Sequence, residues 1–146
     1  MAIPKKYKAI VTKADRLTEN VLFLQLKLKE KIDFKAGQFA LIFTNINGKE
    51  VQRPYSIASK PSQKELLEFI IRKENPGFVS LRLYDLKKNQ EVTIQASFGV
   101  FQVRKPFKEL VFIAAGAGIA PLRSMIHDLL EENIKEKITL IFGFKH

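Results

Sequence analysis

Short runs in which apolar and polar positions alternate, broken by turn residues, fill the chain from Tyr7 to Gln95. Val21–Lys29 shows the pattern most plainly: Leu22, Leu24, Leu26 and Leu28 share one parity, with Gln25, Lys27 and Lys29 on the other. A period of two puts each set on its own face of a strand and predicts a strand with one face buried. β-type runs at Tyr7–Lys13, Gln38–Phe43, Arg53–Ser59, Leu66–Lys73 and Glu91–Gln95 predict five more. Asn47-Gly48 reads as a hairpin turn, because both residues tolerate positive φ. Gly37, Lys60-Pro61-Ser62 and Asn75-Pro76-Gly77 mark further breaks. Val79–Leu86 is one short predicted helix with Val79, Leu83 and Leu86 on one side. Six short strands at regular spacing with a single helix near their end predict a closed six-stranded antiparallel barrel of Greek-key type.

The patterning changes at Pro106. Leu110–Ala115 is wholly apolar, as in a strand buried on both faces. A Gly116-Ala117-Gly118 turn follows, and then a predicted helix, Pro121–Glu132, with Leu122, Met125, Ile126, Leu129 and Leu130 at helical spacing. Pro121 suits the first helical turn, where its missing N–H costs nothing. Ile138–Phe142 is a second apolar strand. A right-handed crossover would make the two strands parallel, giving one βαβ unit. The expected division is therefore a barrel over residues 1–105 and a βαβ unit over 106–146. The chain shows no internal repeat.

Composition narrows the class. A chain of 146 residues, 46% hydrophobic with 12 Phe, holds one full domain and part of another around a real core. Its 25 Lys+Arg against 15 Asp+Glu give a net charge of +10. Residues 1–109 carry 21 basic and 11 acidic side chains, while residues 110–146 carry 4 of each, so the excess belongs to the barrel. A basic surface can attract nucleic acid, an anionic cofactor or an acidic protein, or simply keep the surface soluble. The absence of cysteine excludes a disulfide, a thiolate nucleophile or a Cys-ligated cluster in this sequence. No apolar run reaches the ~18 residues of a membrane span, and MAIPKKYKAI lacks the apolar stretch of a signal peptide. The expected setting is the cytoplasm.

Three segments carry candidate chemistry. In Arg53-Pro54-Tyr55-Ser56-Ile57-Ala58-Ser59, alternation puts Arg53, Tyr55 and Ile57 on one face and Ser56 and Ala58 on the other. An arginine fork can grip a phosphate, a tyrosine ring can cover a flat heterocycle, and a serine hydroxyl can bond a ring nitrogen; an ordinary barrel strand with a core tyrosine reads the same way. Pro76-Gly77-Phe78-Val79-Ser80 opens the short helix, as an anion site or as a plain N-terminal cap. Gly116-Ala117-Gly118-Ile119-Ala120-Pro121 follows a buried-type strand. Pro121 stands where the dinucleotide fingerprint has its third glycine, and tight strand–helix turns also use glycine for steric reasons alone. His127, on the helix beside Asp128, reads as solvated, and with His146 it completes the histidines. A catalytic triad or a metal site has too few ligands.

Taken in order, Arg-x-Tyr-Ser on a strand, Gly-x-x-Ser at a helix start, Phe98-Gly99-Val100-Phe101 and a Gly-rich turn ending in Ala-Pro resemble the ferredoxin–NADP reductase superfamily over nearly the whole chain. The resemblance implies a flavin-binding barrel followed by a Rossmann-like nucleotide domain. Arg53 and Pro54 would then belong to the flavin site, with Arg53 on its phosphate. Tyr55 would pack on the isoalloxazine and Ser56 would sit near N5, the two residues closest to the chemistry. Ile71, Arg72 and Lys73 would line the flavin tail, and Gly77, Val79 and Ser80 its pyrophosphate. Gly116, Gly118 and Pro121 would form the nicotinamide-nucleotide turn.

Several positions depart from the family pattern. Ala115 and Ala117 replace a common glycine and threonine, Ala96-Ser97 precede Phe98-Gly99 in place of Gly-Pro, and Gly143-Phe144-Lys145 matches the Gly-Asn-Arg segment only loosely. The nucleotide domain stops after one βαβ unit, as in a truncated or partner-completed domain, and a homo-oligomer is one way to cover it. The implied function is an oxidoreductase that passes electrons between NAD(P)H and a one-electron carrier such as a ferredoxin, using FAD or else FMN, with an acidic redox partner drawn to the basic barrel. One alternative is a flavin-holding electron-transfer unit without NAD(P)H activity of its own. The other is a basic barrel that binds nucleic acid, which leaves the Gly-rich turn without a role.

Overall fold

A computed structural model describes residues 5–144; Lys145 and His146 lie outside the described residues. The elements are β1 (Tyr7–Thr18), β2 (Val21–Leu28), β3 (Phe39–Ile46), β4 (Lys49–Ser56), β5 (Leu66–Arg72), α1 (Phe78–Tyr84), β6 (Glu91–Phe98), β7 (Glu109–Ala115), a 3-10 turn (Gly116–Gly118), α2 (Ile119–Glu131) and β8 (Lys137–Gly143). The first six strands form one sheet in the order β4-β3-β6-β1-β2-β5, antiparallel throughout. β6 thus inserts between β1 and β3, strands far from it in sequence, as a Greek key requires.

Period-two patterning supplies the core. Leu22, Leu24, Leu26 and Leu28 of β2 are all buried, with Val11, Ala40, Ile42, Leu67, Phe69, Ile71 and Ile94 from neighbouring strands. Val79 and Leu83 of α1 plug one end of this core. β1 runs five residues beyond its expected end at Lys13, because Ala14–Thr18 pair with Val21–Leu24 with one bulge between Arg16 and Thr18. Cross-strand hydrogen bonds hold that polar stretch where its side chains alone give no strand signal. At the β3–β4 hairpin Asn47 and Gly48 both have positive φ, 52° and 78°.

The sheet curls until its two outer strands, β4 and β5, face each other. They share no ladder. Just beyond β4 the Ala58 N–H donates to the Glu68 carbonyl at 2.7 Å. The barrel is therefore joined at one end of this seam and open at the other.

β7 and β8 form a separate parallel pair, Glu109 opposite Lys137 through Ala115 opposite Gly143. α2 packs on one face around Phe112, Leu122, Met125 and Leu129. β7 is not buried on both faces: Phe112 is buried, but Val111 and Ile113 are 50% and 74% exposed. Leu130 is not on the buried stripe of α2 and is 61% exposed. Among the described residues a helix covers only one face of the two-stranded sheet, so the other face of β7 has nothing to pack against, while Leu130 lies one residue round the helix from the buried Leu129.

Polar contacts fix α2 to the barrel. Arg123 Nη1 donates to the Ala58 carbonyl at 2.7 Å and to Glu68 Oε2 at 2.6 Å, and Ser124 Oγ donates to the Ser59 carbonyl at 2.6 Å. Glu68 is buried, and its other oxygen accepts from Gln25 Nε2 at 3.0 Å. Thr12 Oγ1 in turn donates to Gln25 Oε1 at 2.9 Å. Ion pairs Lys60–Glu131 and Lys105–Glu132 flank this contact.

Leu24→Ala is expected to lower stability by about 2–5 kcal/mol, read by urea unfolding, through lost burial and the cavity left behind. Arg123→Ala leaves the Glu68 carboxylate short of its cation and is expected to cost about 1–3 kcal/mol, more than the 0–1 kcal/mol for breaking the outlying Lys60–Glu131 pair with Lys60→Ala.

Candidate functional site

A cleft of about 830 Å³ lies along the open part of the seam. Arg53, Pro54, Tyr55 and Ser56 of β4, Ile70 and Arg72 of β5, and the Glu74–Ser80 segment opening α1 all contribute to its walls. Pro54 has no N–H to donate, and an outer strand is where a sheet tolerates that loss. The edge position also changes the alternation expected for this segment. Ile57 and Ala58 are both fully buried past the end of β4, while Arg53 through Ser56 all border the cleft. An edge strand with no partner on its outer side exposes residues of both parities to the same opening.

β5 keeps its alternation. Ile70, Arg72 and Glu74 border the cleft, and Ile71 between them is fully buried in the barrel core. Lys73 turns the other way and holds its ammonium 4.8 Å above the Tyr84 ring. The cleft lining carries three cations, Lys49, Arg53 and Arg72, against one carboxylate, Glu74, so its field favours an anion. Burial pushes the Tyr55 phenol up to about 12, helped by the Glu74 carboxylate and opposed by Arg53. The ring is thus a neutral, half-buried flat surface at the wall.

Ser80 accepts the Glu74 N–H at 3.0 Å and donates to the Gly77 carbonyl at 3.0 Å. Its hydroxyl ties the bend before α1 together and does not serve as the helix N-cap, which is Gly77. A Cβ on Gly77 would lie 2.6 Å from both the Glu74 carbonyl oxygen and Ser80 Oγ, so only glycine fits the bend.

The Gly-rich turn reaches the same cleft. Ala117 and Ala120 border it, and Gly116, Gly118 and Pro121 lie next to them in the chain without lining it. Gly116 needs its glycine for φ +52°. Gly118 has ordinary helical angles, and a Cβ there would meet nothing within 4 Å. Neither crowding nor strain within the chain accounts for glycine at 118; it leaves the turn open to close approach from outside.

The structure thus gathers Arg53, Pro54, Tyr55, Ser56, Arg72, Gly77, Val79 and Ser80 around one opening, with the Gly116–Pro121 turn at its rim. It adds Ile70 and Glu74 of the β5 strand and its exit, and Ile46, Asn47, Lys49 and Val51 of the β3–β4 hairpin, and it places Phe78 of the Pro76–Ser80 segment on the same wall. The period of two counted from Arg72 points to Ile70 and Glu74; the hairpin residues have no local signal, because only the curl of the sheet brings them there. Phe98-Gly99 lies apart, held to the start of β3 by Gln38 Nε2, which donates to the Ser97 and Gly99 carbonyls at 3.1 Å each. His127 is exposed. Among the described residues no three His, Asp or Glu side chains gather as metal ligands, and no helix is long and apolar enough to cross a membrane.

Residues 8–103 match the family of oxidoreductase FAD-binding domains, and residues 112–146 match the oxidoreductase NAD-binding domain. The phenol hydroxylase P5 protein of Acinetobacter pittii is 34% identical over 94% of this chain and 39% of its own length. The ferredoxin–NAD(P)(+) reductase component of the naphthalene 1,2-dioxygenase/salicylate 5-hydroxylase systems of a Ralstonia species is 33% identical over 94% of this chain and 42% of its own. The chain thus spans about two fifths of the length of the curated relatives it matches. The crystal structure of the Amycolatopsis cytochrome P450 reductase GcoB has the same fold, with a TM-score of 0.89 at 22% identity over all of this chain and 45% of that one.

A phenol raised from 10 to about 12 holds its proton in the folded state at pH values where the unfolded chain has lost it. Folded-state stability is therefore expected to fall as pH rises from about 10 to about 12. Ultraviolet titration should show one phenolate appearing near the top of that range, and Tyr55→Phe should remove both the late step and that part of the pH dependence.

Proposed function

The chain belongs to the oxidoreductase FAD-binding domain family, and from that premise we propose that its cleft holds FAD on the way from NAD(P)H to a one-electron acceptor. In this reading residues 1–105 form the flavin unit and residues 106–146 open the nucleotide unit. The observation that carries it is the convergence of Arg53, Tyr55 and Ser56 with Arg72, the Gly77–Ser80 bend and the Gly-rich turn on one positively charged cleft. Those residues fit the cofactor: two guanidinium groups for its phosphates, a neutral ring and a hydroxyl for its flat head. When bound, FAD supplies the step between hydride transfer and single-electron transfer.

The chain's own part is binding, orientation and electrostatics. Arg53 can offer its fork to a phosphate oxygen pair, and Arg72 adds charge from the facing strand. Tyr55 presents an apolar face that stays neutral through the physiological range, and Ser56 next to it presents a hydroxyl to a ring nitrogen. Pro54 keeps this edge of the barrel free of a ladder partner. Ile71 and Lys73 act from behind, one packing the barrel under the site and the other holding Tyr84. Gly77, Val79 and Ser80 shape the bend at which a pyrophosphate can approach backbone N–H groups. Gly116, Gly118 and Pro121 offer the pyridine nucleotide an unobstructed turn. The excess of basic residues on the barrel suits an acidic redox protein such as a ferredoxin.

The purified protein is expected to be yellow, or to become so on adding FAD, and to release FAD on denaturation. Arg53→Ala should weaken FAD binding roughly tenfold or more while leaving the fold intact, since charged hydrogen bonds contribute about 1.5–3 kcal/mol. A colourless protein that FAD does not reconstitute would overturn the reading. Bleaching by NADH or NADPH would mark a working reductase, and flavin binding without bleaching a flavin-holding electron-transfer unit.

A further inference from the structure

The Gly-rich turn and the Arg53–Ser56 segment stand on different sheets, so the gap between them depends on what joins the two. The chain leaving Ser56 is caught two residues later. Ala58 and Ser59 are both fully buried. On the barrel side, the Ala58 N–H donates to the Glu68 carbonyl and the Glu68 N–H donates to Ser59 Oγ at 3.2 Å. From the other side α2 grips the same two residues: Arg123 Nη1 donates to the Ala58 carbonyl at 2.7 Å and Ser124 Oγ to the Ser59 carbonyl at 2.6 Å. Ala58 is two residues from Ser56, about 6.6 Å of extended chain. Arg123 is three residues from Ala120, about 4.5 Å along the helix. The clamp is therefore a short linkage between the two walls of the cleft.

Its chemistry suits a fixed spacing. Arg123 Nη1 also donates to Glu68 Oε2 at 2.6 Å, and Gln25 of β2 holds the other oxygen. An ion pair on a buried carboxylate contributes little stability beyond an apolar pair of the same volume. It does restrict geometry, because sliding α2 would strip the carboxylate of its cation. The Lys60–Glu131 and Lys105–Glu132 pairs lie at the far end of α2 on long, partly exposed side chains that water screens. Neither Arg123 nor Glu68 lines the cleft, so neither touches a ligand held there.

We propose that Arg123, with Ser124, is a positioning residue that sets the spacing of the Gly-rich turn from Tyr55 and Ser56 and so speeds reduction of the flavin by a pyridine nucleotide. The inference rests on the flavin reading above. In that reduction a C–H bond of the dihydronicotinamide breaks, its hydrogen passes to the flavin ring with both bonding electrons, and the nicotinamide leaves as the oxidised cation. A displacement of about 1 Å between reacting groups can slow such a step on the order of a hundredfold.

The test has a structural arm and a kinetic one. The chain has no cysteine, so Lys27→Cys on β2 and Leu130→Cys on α2, both at exposed positions, place one spin label on each side of the clamp. The label-to-label distance is expected to be narrowly distributed. Arg123→Ala should broaden it, and Arg123→Lys, which keeps the charge without the fork, should recover part of the narrow distribution. In the FAD-loaded protein without labels, Arg123→Ala should slow reduction at saturating NADH or NADPH by roughly tenfold to a hundredfold, with half-saturation and FAD affinity within about twofold of wild type. Glu68→Gln, which keeps the shape and removes the charge, should do the same to a smaller degree, and both it and Arg123→Lys carry the test if Arg123→Ala does not fold. Unchanged reduction would overturn the inference, whether or not the distance broadens. So would an unchanged distance distribution, or a loss confined to nucleotide or FAD affinity. A wild type that binds FAD and is reduced by neither nucleotide would overturn it too and leave the flavin-holding reading standing. A wild type that binds no FAD would defeat the flavin reading itself and the inference with it.

Discussion

The unladdered seam between β4 and β5 is the constraint from which the rest of the architecture follows. A six-stranded sheet curled on itself must either complete its ladder or leave two rows of backbone donors and acceptors at the junction. This chain does some of each. The Ala58–Glu68 bond closes one end, and at the other the strands part, Pro54 removes one donor, and α1 with its preceding bend stands across the gap. The opening is not a defect in the barrel. It is the space in which side chains from β4, β5 and the start of α1 can meet a ligand that none of them could enclose alone.

The closed end of the same seam seats the second unit. Arg123 bonds to the Ala58 carbonyl and the Glu68 carboxylate, two groups that sit where β4 gives way to the β5 edge. Glu68 is buried and also bonded to Gln25, so its charge is balanced and its position fixed by β2 and α2 together. A carboxylate held this way is costly to move, because any shift would leave it without its cation away from water. The Gly-rich turn sits at the start of the helix that carries Arg123. Anchoring that helix therefore sets how far Ala117 and Ala120 stand from Tyr55 and Ser56 across the cleft.

Much of the barrel could be read from local pattern. The alternation of Leu22 through Leu28 specifies a strand and its buried face without reference to any other residue, and Asn47-Gly48 specifies the turn that pairs β3 with β4. The site was legible where its residues lie together in sequence, as in Arg53 to Ser56. On β5 local sequence is only half informative: the run Ile71-Arg72-Lys73 stands together in the chain, but the strand turns Arg72 to the cleft with Ile70 and Glu74, and Ile71 and Lys73 face elsewhere. By itself the wholly apolar run of β7 predicts a strand covered on both faces. An apolar run reports what a strand can bury and carries no information on what is present to cover it, so Val111 and Ile113 are exposed.

The sequence by itself determined the elements, their faces and the chemical character of the segments around Arg53, Gly77 and Gly118, because strand alternation, helix spacing and turn preference act over a few residues. Only the tertiary structure decided which of those segments share a cleft, that Phe78 and the β3–β4 hairpin belong to it, and that Arg123 reaches Glu68 from 55 residues away. Those outcomes depend on how far the sheet curls before its outer strands meet. Curl is the summed twist of six strands and the packing of one shared core, which no short window of sequence contains.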